Sequence, residues 1–388
     1  MKKIIISIIV ILMVSGCWNY SELNDYSIAT GMAIDYVNDK YLVSFLISNG
    51  KKLESQSSNS QYQAVLYSGE GTNIYEAIKN IGLISPKRLY IGHLTSIVVS
   101  EEVARKGLYD SLEFLLKDSD SKKNFYIVLS KDSSAKDVLS ITTPMTDFSS
   151  ESIFDNDNSS NKLQESIVAK TFNDVLYELV NDGLDMSISS YVIVGDKEKG
   201  MTLDNLESVE PKSYIKLDEL GIFKGDKLVN WADKDKSKGI NIINNNITDL
   251  YIDIQCNDGH IVISTTDLKT ENKISKDKIS IKTKGVASIN EVTCSIDLEN
   301  DDNIVKLTND VNKKIEDLIR DGYMFARDNG SDVFGFGLSF YRDNPKEYKS
   351  INWYDMYSKI EPIIDVNINL KNIGNLKQIM ERNINENK

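Results

Sequence analysis

Histidine is nearly missing from this chain: His93 and His260 are the only two in 388 residues, beside three cysteines and five prolines. Two isolated histidines, with no H-E-x-x-H spacing and no paired cysteines, leave no metal-ligand set close in sequence. Both therefore read as structural or surface residues. A G-x-S-x-G elbow is lacking, which removes local support for a serine hydrolase. P-loop and dinucleotide glycine fingerprints are also lacking. Gly335-Phe336-Gly337 has neither the third glycine nor a strand leading into a helix, so it is not a phosphate loop. Cations are scarce as well, 45 Lys and Arg against 58 Asp and Glu, for a formal charge of −13. That balance excludes nucleic acid as a partner, because phosphate binding needs Lys and Arg clusters. It also argues against electrostatic adsorption of the whole protein to anionic lipid.

After residue 14 no apolar run is long enough to span a bilayer, which needs roughly 20 residues. What is present is an N-terminal segment: Lys2 and Lys3, an apolar run over residues 4–14 broken only by Ser7, then Val14-Ser15-Gly16-Cys17. Eleven helical residues reach only about 16 Å, and Asn19, Ser21 and Glu22 turn the chain polar at once. This is the architecture of a cleaved signal peptide, and its end matches the bacterial lipobox. Residues 1–16 are expected to be removed after Gly16, leaving Cys17 as a lipid-bearing N-terminus and the only built-in membrane attachment. Loss of the two lysines moves the formal charge to −15. Trp18 beside the lipid could sit at the headgroup level or contact the first domain.

Periodicity organises the remainder. Residues 27–48 read as a hairpin around Asn38-Asp39, residues 50–60 as an exposed loop, and residues 62–67 as a third strand. Thr72 is placed to cap a helix carrying Ile74, Ala77, Ile78 and Ile81. A strand over 94–99 leads to a helix capped by Ser100 and running through Lys117. Residues 125–129 and 188–194 read as strands with a helix over 168–180 between them. The polar tract 149–161 reads as a mobile loop. Within it Asp155-Asn156-Asp157-Asn158-Ser159 starts like a calcium loop but has Ser160 where glycine is needed and Ser166 at the twelfth position. Past a charged stretch, Lys224-Gly225-Asp226 marks a hairpin. Residues 247–254, 260–265, 279–286 and 292–296 alternate as an antiparallel sheet with one wet face. Ile304, Leu307, Val311, Ile315, Leu318, Ile319 and Tyr323 mark a long amphipathic helix, and residues 363–370 form a last strand. The expected division is an N-terminal α/β region over 17–198 (one module, or two with the second from about 140), a linker at 199–213, and a C-terminal α+β domain over 214–388. Cys256 and Cys294 either pair outside the cytoplasm or remain as half-buried thiols. No catalytic, cofactor-binding or metal residue can be assigned.

Five blocks in register carry a resemblance. Gly16-Cys17-Trp18-Asn19-Tyr20-Ser21-Glu22-Leu23, followed by Ile28-Ala29-Thr30-Gly31-Met32-Ala33-Ile34-Asp35, resembles the mature N-terminus of the Ger(x)C family, with Asn19 in place of the usual Asp. Arg88-Leu89-Tyr90-Ile91-Gly92-His93 with Val98-Val99-Ser100-Glu101-Glu102 is similar to the next block. So are Gly221-Ile222-Phe223-Lys224-Gly225-Asp226, Asp332-Val333-Phe334-Gly335-Phe336-Gly337 and Val366-Asn367-Ile368-Asn369-Leu370 with Gly374. The resemblance implies a lipoprotein C subunit of a spore germinant receptor, with a mixed α/β fold of three modules and no enzymatic activity. It also implies A-type and transporter-like B-type membrane partners and a place on the outer face of the inner spore membrane. The competing expectation is the substrate-binding lipoprotein of an ABC transporter, which usually has two doubly wound lobes. A hydrolase would need a catalytic cluster assembled from distant segments.

Overall fold

A computed structural model of the protein describes residues 25–48, 64–117, 122–146, 148–160, 170–256, 258–275 and 277–371. The signal segment, Cys17, Trp18, the loop 50–60 and Gly374 lie outside the described residues. Strands β1 (Tyr26–Val37) and β2 (Lys40–Ser48) form the hairpin. Asn38 and Asp39 at its turn have φ of 50° and 61°, the left-handed pair that lets a two-residue turn follow strand twist. After β3 (Ala64–Gly71) comes α1 (Ile74–Ile84). Its N-cap is Asn73 rather than Thr72: Asn73 accepts the Glu76 N–H at 2.9 Å, while Glu76 reaches back to the N–H and hydroxyl of Thr72. Next are β4 (Arg88–Tyr90), β5 (Ser96–Ser100), and α2 (Glu101–Lys106) capped by Ser100. The helical pattern that continues to Lys117 is broken at Gly107, φ 138°, so α3 (Leu108–Lys117) is a separate helix.

Beyond β6 (Tyr126–Ser130) lie α4 (Ala135–Ser140), α5 (Ser149–Ser160), α6 (Phe172–Val180), β7 (Ser187–Gly195), α7 (Lys197–Gly200) and α8 (Leu203–Glu207). Residues 149–160, expected as a loop, are thus helical. Tertiary packing overrides the weak local propensity here. Ser150 and Ile153 are fully buried, the Ser149 hydroxyl donates to the Leu139 carbonyl, and Ser150 donates to the Thr30 hydroxyl at 3.2 Å.

Strands β8 (Ser213–Lys224) and β9 (Lys227–Ala232) complete the first sheet, ordered β3-β2-β1-β5-β6-β7-β8-β9 with β4 beside the start of β1. The centre, β1, β5, β6 and β7, is parallel; both flanks are antiparallel. Alternate residues of the central strands enter opposite cores. Met32, Ile97, Ile127 and Leu129 face α1, α2, α3 and α6, while Ala33, Val98 and Val128 face α4 and α5. The stretch 199–213, expected as a linker, runs between β7 and β8. It carries α8, and β8 pairs with β7 from Gly195↔Ser213 to Ser187↔Ile222.

Helix α9 (Lys234–Ile243) leads to a second sheet of β10 (Leu250–Cys256), β11 (Gly259–Ser275), β12 (Lys278–Val292) and β13 (Pro362–Lys371), in that order. Its first three strands are antiparallel, but β13 joins parallel to β12. Residues 292–296 are not a further strand, because β12 runs unbroken to Val292. Cys256 and Cys294 form a disulfide that closes this end of the sheet. The long helix α10 (Asp301–Asp328) buries Leu307, Val311, Ile315, Leu318, Ile319 and Tyr323, the face that its spacing marks. Asn300 caps it, with Asp301 and Asp302 in the first turn and Arg327 in the last. Helix α9 crosses α10 where Gly239 meets Gly322: a Cβ on Gly322 would lie 2.7 Å from the Ile240 nitrogen. Short helices α11 (Phe336–Asp343), α12 (Pro345–Tyr348) and α13 (Trp353–Tyr357) connect α10 to β13. The architecture is α+β and multi-domain, as the sequence leads one to expect.

Candidate functional site

The most developed polar cluster joins the two sheets. Asp185 enters β7, and Asp332 lies in the loop between α10 and α11. Their backbones clasp each other: the Asp185 N–H donates to the Asp332 carbonyl at 2.9 Å, and the Asp332 N–H donates to the Asp185 carboxylate at 2.7 Å. The other Asp185 oxygen accepts the N–H of Gly225, in the β8–β9 turn, at 2.8 Å. Tyr354 donates its hydroxyl to Asp185 at 3.0 Å. Asp332 accepts the N–H groups of Phe336 (3.2 Å) and Gly337 (2.7 Å), and the Trp353 indole N–H (2.9 Å). Gly335 precedes these donors with φ 69°, a left-handed turn that aims two successive amides at one carboxylate. Ser331 to the Phe223 carbonyl (2.5 Å) and the Leu338 N–H to the Gly183 carbonyl (2.8 Å) extend the clasp.

Burial dominates the electrostatics. Asp332 is fully enclosed, and desolvation pushes its pKa up to about 7 against the lowering effect of its three donors; the neighbouring Asp185 charge adds to the rise. Asp185 is raised for the same first reason, with Lys224 among the influences pulling it down. Burial also raises the phenols of Tyr323, Tyr354 and Tyr357 well above their usual range. Tyr323, Phe334 and Phe336 cluster at centroid separations of 5.4 to 6.2 Å, with Tyr323 and Phe334 stacked and Phe336 tilted against both. Phe336 is buried, so this block packs into the core. Two buried carboxylates held by backbone amides, an indole and a phenol fix the orientation of one sheet on the other.

A third buried carboxylate, Asp35, ends the family-like strand. It accepts the N–H groups of Ala135 (2.7 Å) and Lys136 (2.9 Å) at the start of α4, and burial raises its pKa to about 6. His93 is exposed beside Tyr90, and His260 lies in β11 opposite Gln255, so the two histidines stay in separate domains. Asp155 falls on α5. Gly31 lets Ser150 approach, since a Cβ there would lie 2.6 Å from the Ser150 Cβ. An open groove of about 1040 Å³ runs between Leu46, Leu66, Leu139, Pro144 and Met201, with Glu151 as its titratable group. Among the described residues no cluster of His, Cys, Asp or Glu is arranged to hold a metal ion, and no helix is long and apolar enough to cross a membrane. Sequence reasoning quoted Asp332 and Asp35 inside family-like blocks without giving them a role. Asp185, Trp353 and Tyr354 carried no local signal.

The fold and this junction define a class: a multi-domain α+β protein with a mixed nine-stranded sheet clamped to a smaller sheet under a long helix. Residues 19–193 match the family described as spore germination protein, N-terminal domain, and residues 218–374 match that described as spore germination B3/GerAC like, C-terminal. The chain belongs to this Ger(x)C family of spore germination proteins. It is 25% identical to spore germination protein KC of Bacillus subtilis (strain 168), over 93% of each chain. A match to spore germination protein B3 of the same organism, also at 25%, spans 34% of this chain and 36% of that one. Its fold is similar to the crystal structure of the GerBC protein, with a TM-score of 0.53 and 18% identity, over 91% of this chain and all of that one.

Proposed function

We propose that the protein is the non-enzymatic, lipid-anchored C subunit of a spore germinant receptor, acting in nutrient-triggered germination. It is tethered through Cys17 to the outer face of the inner spore membrane and assembles there with A-type and B-type membrane subunits. The observation that carries this reading is the family match over both halves of the chain, 19–193 and 218–374, directly behind a lipobox ending in Cys17. The names of the relatives, spore germination proteins KC and B3, support the germination role. The clamped sheets suit a rigid ectodomain that presents surfaces to partners. Cys17→Ala should abolish lipid labelling, release the protein from spore membranes and impair germination. Full membrane retention with normal germination in that variant would refute the proposal, as would failure to co-purify with a multi-spanning subunit.

A further inference from the structure

The edge of the first sheet where the chain enters it carries an apolar, cationic face that the interior does not use. On α1, Leu83 is 79% exposed and Ile84 56%. They precede Ser85, whose hydroxyl lies 3.3 Å from that of Ser27, so the end of α1 abuts the start of β1. Lys87 and Arg88 follow, both exposed. Strand β4 then pairs Arg88 with Tyr26 and Tyr90 with Ile28. The Arg88 guanidinium lies 5.8 Å over the Tyr26 ring, and the Tyr26 and Tyr90 rings are 5.6 Å apart. Residues 77–100 contain Lys79, Lys87 and Arg88 and no carboxylate, in a chain with 58 acidic residues. With the exposed Asp25 directly before Tyr26 counted, the face is still richer in cations than the acidic chain as a whole.

The tether decides what this face meets. Tyr26 is nine residue steps beyond Cys17, and a fully extended chain of that length spans at most about 30 Å. Resting on the anchoring proposed above, we infer that this face docks on the anionic phospholipid bilayer itself. Leu83 and Ile84 enter the boundary between headgroups and acyl chains, Tyr26 and Tyr90 sit at headgroup level, and Lys87 and Arg88 meet lipid phosphates. Exposed leucine and isoleucine beside cations and tyrosines are the composition of an interfacial contact. A lipid at Cys17 alone leaves the ectodomain free to swivel; a second contact on the same edge fixes which surfaces face partners.

The test uses the mature chain from residue 17. With Cys256 and Cys294 joined, Cys17 is the free thiol and can be coupled to maleimide lipid in phosphatidylglycerol-rich vesicles. Leu83→Trp reports on the face. Val209→Trp serves as reference: Val209 is fully exposed and lies near the Gly195–Ser213 pair, at the opposite end of the parallel strands from Tyr26. Brominated acyl chains should quench the emission that Leu83→Trp adds over the parent protein at least threefold more than the emission that Val209→Trp adds. Adding Lys87→Glu and Arg88→Glu should cut that difference at least threefold without releasing the tethered protein. Equal quenching at 83 and 209 overturns the docking face, whatever the lipidation state in cells. Absence of lipid on Cys17 in cells overturns the anchor reading, whatever the vesicles show. Shielding at 83 that appears only with partner subunits present assigns the face to protein and overturns its assignment to lipid.

Discussion

Replacing Asp332 by Asn removes the charge and keeps a planar head, but only its one amide oxygen can still accept, from Gly337 and Trp353 or from Phe336. The wild-type carboxyl titrates at about 7 when folded against an ordinary 3.8. Below 3.8 both states hold the proton, and the folded state has its full advantage. As the pH rises, the unfolded chain releases its proton first, while the folded chain keeps it until about 7, so stability is lost through this window. Roughly three pKa units at 1.36 kcal/mol each amount to about 4 kcal/mol. Asn does not titrate. The stability difference between wild type and Asp332→Asn should therefore move by about 4 kcal/mol in favour of the variant between pH 4 and pH 8. Urea unfolding followed by tryptophan fluorescence, with the disulfide intact, measures it, because Trp353 touches the site. Asp332→Ala gives the contrast: three buried donors lose their acceptor, and at pH 4 the variant should be at least about 3 kcal/mol less stable. Parallel curves for wild type and Asp332→Asn from pH 4 to 8, within about 1 kcal/mol, would show that burial does not govern this carboxyl.

Two further outcomes concern the second sheet. Cys256→Ser opens a crosslink spanning 38 residues, and the loop entropy restored to the unfolded chain predicts a loss of about 4 kcal/mol; dithiothreitol should lower the urea midpoint of the wild type to the same extent and leave the variant unmoved. Gly322→Ala gains helix propensity but places a Cβ 2.7 Å from the Ile240 nitrogen, so a net loss of about 1–3 kcal/mol is expected, and a raised melting temperature would contradict the tight α9–α10 contact.

Local pattern carried much of the fold. The Asn38-Asp39 turn, the Ser100 cap, the buried face of α10 and the terminal strand β13 all follow from residue types at fixed spacing. Those features depend on neighbours within a few residues, where turn chemistry and helical period act. The sequence was misleading at 149–160, where long-range burial of Ser150 and Ile153 makes a helix from residues of poor propensity. At 199–213 composition signals a break while strand pairing runs on from β7 to β8. The candidate site was legible only in part: Asp332 sits within a recognisable block, but its partner Asp185 lies 147 residues away.

By itself, then, the sequence determined the local elements and the family blocks that place the chain among spore germination proteins, and it supplies the Val14-Ser15-Gly16-Cys17 motif on which the proposed anchor rests. Only the tertiary structure decided that β7 and β8 join the expected domains in one sheet, that Cys256 pairs with Cys294, and that Asp185 and Asp332 clasp the two sheets. The reason is physical. Helical period and turn geometry are short-range properties of the backbone, whereas sheet order and the desolvation of a carboxylate depend on which distant segments the closed core brings together.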